Sequence, residues 1–183
     1  MVSRQVSALP VLFSLALAAV FWYLIFSVQL FNFWLSMAVA APVLAALSML
    51  FQGPPVSKKD FDRRAFLFGI LSALGLYFLF WLGYTVSQWL FSFAQGQVHS
   101  IYQIRTEGQP LLIALVLLFI TSPAEEIFWR GFIQKWAMDR FGELPGWLLG
   151  SLVYAAVHIS SGNFMLVMAA LVAGLFWGWL YWR

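Results

Sequence analysis

Glu125 and Glu126 stand side by side within a long apolar run. Leu111 to Ile120 precede them without a polar residue, and Phe132, Ile133, Trp136, Ala137 and Met138 follow. A carboxylate near the centre of a bilayer costs at least ~2.5 kcal/mol, so an intramembrane Glu is a functional candidate by default. Successive residues of an α-helix point about 100° apart, which gives the two carboxylates different partners. Arg130 follows Glu126 by four positions, with the Glu N-terminal, the favourable order for an ion pair. Arg130 is therefore the expected neutralising partner of Glu126, and its loss is expected to strand Glu126 as a buried, unpaired charge. Glu125 shares its face with Phe128 and Trp129 and has no basic residue one turn away. That leaves it available as a general base. A structural role is compatible with the same residues: Ser122 as N-cap, Pro123 at the first helical position and Glu125 closing a capping box.

The second candidate is His158, one turn after Tyr154. Counted from Gly146, His158 lies ~18 Å into its segment; counted from Met138, Glu125 lies ~20 Å into its own. The two segments are joined by a short loop, so they are expected to pack as antiparallel neighbours with Glu125 and His158 at one level. A carboxylate and an imidazole at one level can hold and deprotonate a water, which requires them to lie within ~6 Å. Phe128, Trp129 and Tyr154 are expected to line the dry side, with a cavity opening toward the loop from Asp139 to Pro145. His99 falls in a polar stretch on the far side and is left out of the site. Catalytic zinc commonly takes three protein ligands. Only His158, Glu125 and Glu126 are available at this depth, and no His-Glu-x-x-His helix is present. No metal or other cofactor is expected.

These residues need elements to hold them, and the composition says which kind. Of 183 residues, 63% are hydrophobic and 9% charged, against roughly 45–50% and 25% in soluble chains. The expected class is an all-α polytopic membrane protein. Cysteine is absent, which excludes disulfides and thiolate metal sites. Six apolar segments are expected to cross the bilayer: Leu9–Val28, Leu35–Phe51, Ala65–Phe93, Pro110 to about Met138, Gly146–Ile159 and Phe164–Trp182. Gln52-Gly53-Pro54-Pro55 ends the second, and Ser160-Ser161-Gly162-Asn163 separates the last two. Lys58 to Arg64 form the main charged loop, and Ala94 to Gln109 an outer polar loop. The chain divides into 1–109, three spans and the outer loop, and 110–183, the part that carries the motif.

Orientation follows from the basic residues. With the N-terminus inside, Arg4, Lys58, Lys59, Arg63, Arg64, Lys135, Arg140 and Arg183 fall on the cytoplasmic side, Arg105 alone outside, and Arg130 within the membrane. This is a positive-inside pattern with both ends cytoplasmic. The net charge of +3 is thus topogenic, and no nucleic-acid partner is expected.

Glu125-Glu126-Ile127-Phe128-Trp129-Arg130-Gly131 resembles the first motif of the CAAX-protease and bacteriocin-processing family: two Glu, three residues, then Arg and Gly. Tyr154-Ala155-Ala156-Val157-His158 resembles its second motif, an aromatic four residues before a His. Gly174 to Tyr181 is similar to the glycine-punctuated helix that follows. The resemblance covers about Pro110 to Arg183. It implies a glutamic-type intramembrane endopeptidase in the multi-pass plasma membrane of a bacterium or archaeon. Its substrate would be a hydrophobic, lipid-modified or anchor-bearing peptide. By that pattern Glu125 and His158 would activate the water, Glu126 and Arg130 would form a supporting pair, and Tyr154 would be the aromatic of the second motif. The family's third motif, a His with Asn or Asp four residues on, would help form an oxyanion site. No His follows His158, so the sequence is expected to be incomplete at this end relative to the family. The alternative is a non-catalytic immunity or scaffold protein that retains the fold.

Overall fold

The computed structural model describes residues 6–55 and 63–183; the basic residues Arg4, Lys58 and Lys59 lie outside them. Among the described residues every regular element is a helix. Helix α1 (Ala8–Tyr23) ends in a π turn, Leu24–Val28. Helix α2 (Phe33–Gln52) starts where the Asn32 side chain accepts the Leu35 N–H at 3.1 Å, and stops at Gly53, whose φ of 87° no other residue type adopts easily. Helix α3 (Arg63–Leu90) follows, then α4 (Ala94–Gln103). Helix α5 runs over Pro110–Phe141, α6 over Glu143–Ala156 with a 3₁₀ turn Val157–Ser161, and α7 over Phe164–Trp182.

Five of these are long and apolar enough to cross a membrane: Ala8–Val28, α2, α3, α5 and α7. The sixth expected segment, Gly146–Ile159, is corrected only in form, as it lies on α6 and its 3₁₀ turn. The Glu143–Ser161 segment is not one unbroken long helix, because its backbone tightens to 3₁₀ at Val157, beside the histidine. The polar stretch after α3 is corrected too. Instead of a loop it forms α4, whose Gln97 carbonyl and Ser100 hydroxyl accept from the Asn163 amide at 2.9 and 3.2 Å. Gln97 Oε1 also accepts the Met165 N–H at 3.0 Å. Polar residues here build a helix that braces the start of α7.

The core sits where α1, α2 and α5 meet, around Val11, Trp22, Leu44, Phe128, Trp129 and Phe132. On the other side, α6 packs closely on α5 through Gly146 and Gly150, and α7 packs closely on α6 through Gly174. Gly146 and Gly150 lie one turn apart on α6, Gly174 and Gly178 one turn apart on α7. A Cβ on Gly150 would stand 3.0 Å from Gln134 Cβ, and one on Gly174 would stand 3.2 Å from Ser151 Cα. Without a hydrophobic driving force between helices in lipid, such close backbone approach is what holds them together. Helix α3 is largely uncovered, with Leu76 and Ser87 its only buried residues.

Candidate active site

Helix α5 carries the acidic pair between two π turns, Leu117–Thr121 and Trp129–Gln134. Pro123 accounts for the first. It has no N–H to give, and in a regular turn its ring would strike the carbonyl four residues back. The widened turn just before it absorbs the misfit: the Ser122 N–H bonds Leu117 O, five residues back. Ser122 has helical torsions, φ −63° and ψ −45°. The helix thus runs through it, and the capping-box reading of Ser122 and Glu125 is withdrawn.

The ion pair has Arg130 Nη1 at 3.1 Å from Glu126 Oε1. The Arg130 side chain is 4% exposed and that of Glu126 46%, so the expected burial is reversed: Arg130 is the member that depends on its partner. Arg130 Nη2 also donates to the Ala173 carbonyl on α7 at 3.3 Å, and its guanidinium lies 4.7 Å from the Tyr154 ring centre. Glu125 takes a different partner. The Tyr154 hydroxyl donates to Glu125 Oε2 at 3.2 Å. Tyr154 therefore joins both halves of the acidic motif, one through its hydroxyl and the other through its ring face.

His158 is buried at the 3₁₀ turn. Its Nδ1 lies 2.8 Å from the Tyr154 carbonyl oxygen, and its Nε2 accepts from the Trp22 indole N–H at 3.0 Å. Glu125 and His158 thus both meet Tyr154, and neither His158 nitrogen is left for a shared water in this arrangement. The cavity also differs from expectation. Phe128 and Trp129 are core residues. A cavity of about 690 Å³ does open at the end of α5, lined by Gln52, Lys135, Trp136, Asp139, Arg140 and Tyr181 among others, but neither Glu125 nor His158 lines it. His99 is exposed on α4, with Nε2 at 2.7 Å from the Gln103 amide. Among the described residues no three His, Asp or Glu side chains converge as metal ligands would.

Two buried polar residues escaped the sequence reading. Gln134, one turn after Arg130, donates to the Gly178 carbonyl at 2.8 Å; a glutamine in so apolar a stretch was the available signal. Trp22 had none, since its contact with His158 spans 136 positions.

A family model described as type II CAAX prenyl endopeptidase Rce1-like matches residues 107–183. The class defined by fold and match is a helical membrane protein whose C-terminal part matches a protease family. The matched segment contains Glu125, Glu126, Arg130, Tyr154 and His158 and leaves out α1 to α4. Neither the curated proteins nor the solved structures give a match.

Proposed function

We propose that this chain is an intramembrane endopeptidase in which Glu125 takes a proton from the hydrolytic water. The supporting observation is the Tyr154 hydroxyl on Glu125 Oε2 at 3.2 Å. It holds one carboxylate oxygen and leaves the other for a water. In the proposed step the water O–H bond breaks, its proton goes to Glu125, and its oxygen bonds the peptide carbon. The carbonyl electron pair moves onto oxygen; the proton then passes from Glu125 to the nitrogen, the oxygen pair returns to re-form the carbonyl, and the C–N bond breaks to release the amine. His158 is the second group that orients the water. Glu126 and Arg130 fix the helix turn between them.

The substrate class is a hydrophobic, lipid-modified or anchor-bearing peptide, reached from the cytoplasmic side of a plasma membrane, with both chain ends cytoplasmic. A second reading, a non-catalytic immunity or scaffold protein, is favoured by one observation: the His158 Nε2 is already occupied by Trp22. Hydrolysis of a lipidated peptide by the protein in nanodiscs separates the two. The enzyme reading expects Glu125→Gln to lose at least ~10²-fold in rate, the usual contribution of a positioned base. A Glu125→Gln protein as active as the parent would remove Glu125 from the chemistry. Peptide binding without cleavage by the parent would favour the scaffold.

A further inference from the structure

Helix α1 lies outside the segment that matches the protease family, yet it supplies the group bonded to His158. A carbonyl oxygen only accepts, so the contact with Tyr154 O assigns the imidazole proton to Nδ1. Nε2 is then left with its one acceptor position, and the Trp22 N–H fills it at 3.0 Å. The Tyr154 carbonyl is sufficient to choose the tautomer. What the indole N–H adds is occupancy: no water can bond Nε2 while Trp22 stands there.

The contact is built in. Trp22 is fully buried. Its ring lies edge-on to Trp129 at 5.8 Å and to His158 at 5.9 Å, and Phe26 lies against the imidazole at 5.5 Å. The Ser27 hydroxyl bonds the Ser160 carbonyl. That bond ties the π turn ending α1 to the 3₁₀ turn carrying His158. Both turns close their helices with a departure from α geometry.

We propose that Trp22 is a latch on His158. In the closed state the indole withholds Nε2 from water, and the site becomes competent when Trp22 moves off and a water takes its place on the imidazole. This rests on the reading of His158 as the group that orients the hydrolytic water.

The test uses the full chain in nanodiscs, in a His99→Gln background that leaves His158 the only histidine. Two variants remove the N–H: Trp22→Phe, and Trp22 replaced by its benzothiophene isostere, which keeps the indole shape. Carbethoxylation of His158 by diethyl pyrocarbonate is expected to run about tenfold faster in both, roughly the factor one buried hydrogen bond is worth. The ¹⁵N signal of Nε2 should move toward that of an unbonded ring nitrogen, and the rate on a lipidated peptide should rise. An unchanged His158 rate and ¹⁵N signal in both variants would overturn the latch, as would a parent protein with Nε2 protonated. Failure of the peptidase reading looks different: hydrolysis would then be indifferent to Glu125→Gln while the His158 reactivity still responded to Trp22.

Discussion

Arg130 Nη1 lies 3.1 Å from Glu126 Oε1, and the two side chains sit in unlike surroundings, 4% and 46% exposed. Breaking a buried pair typically costs about 3–5 kcal/mol because a charge is left without compensation. Since Arg130 is the enclosed partner, Glu126→Ala is expected to destabilise by about 3 kcal/mol, the lower end of that range because Glu126 is only partly covered. Arg130→Ala loses the pair and its contacts with Ala173 and Tyr154 as well. The double change Glu126→Gln with Arg130→Gln should cost less than the two single Ala changes together. Thermal unfolding in detergent across the set measures this coupling, and simple additivity would contradict it.

Tyr154→Phe removes only the hydroxyl on Glu125 and leaves the ring against Arg130, Trp129 and His158. Stability should fall by about 1.5–3 kcal/mol, the worth of a hydrogen bond to a charged group. Hydrolysis should fall about tenfold, with the loss in kcat and KM nearly unchanged, because the hydroxyl touches the base and not the peptide. A loss confined to KM would move Tyr154 out of this role.

Much of the helical plan was legible because apolar length is a one-dimensional signal. The bounds of α2 and α7 are set by Asn32 with Gly53 and by Asn163, residues whose local chemistry starts or stops a helix. The acidic pair was legible for a similar reason: charge in an apolar run is costly and calls for a specific partner or a functional role. Other features were hidden by physics of another range. The π turns of α5 answer to Pro123 and to tertiary packing, and the periodicity of a short window does not carry them. Helix α4 is short and mostly polar, with an apolar stripe of only Ala94, Val98, Ile101 and Tyr102, and it is held by bonds to Asn163 and Met165. The Trp22–His158 bond is tertiary, so nothing near either residue announces it. The reversed burial of Glu126 and Arg130 depends on where α7 lies, which spacing on one helix cannot say.

The glycines make a paired prediction. A Cβ on Gly146 would overlap the Met138 backbone, whereas one on Gly83 would meet nothing within 4 Å. Gly146→Ala must push two helices apart, and overpacking of this kind typically costs about 1–3 kcal/mol or more. Gly83→Ala sits in the exposed interior of α3 and should stabilise by about 0.5–1 kcal/mol through helix propensity alone. Detergent melting of the two single variants checks both signs. Equal effects would mean that α6 does not approach α5 as closely as the structure has it.

The last prediction concerns which side of the bilayer each rim faces. Ser7, Asp139 and Tyr181 line one cavity, so α1 begins, and α5 and α7 end, at the same rim. Helix α4 is bonded to Asn163, at the opposite end of α7. The fold therefore has two rims, and the basic residues say which is cytoplasmic. Lys135, Arg140 and Arg183 lie at or near the first rim and Arg105 near the second, so the first rim is expected to face inward. The chain has no cysteine, so single Cys residues can be introduced without a background. Ser7→Cys and Asp139→Cys are expected to resist a membrane-impermeant maleimide in intact cells and to react after lysis. Gln95→Cys, exposed on α4, is expected to react in intact cells. Labelling of Ser7→Cys and Gln95→Cys from the same side would contradict the two-rim arrangement. Labelling with both sides exchanged would keep the fold and reverse its orientation, and the peptide would then be reached from outside.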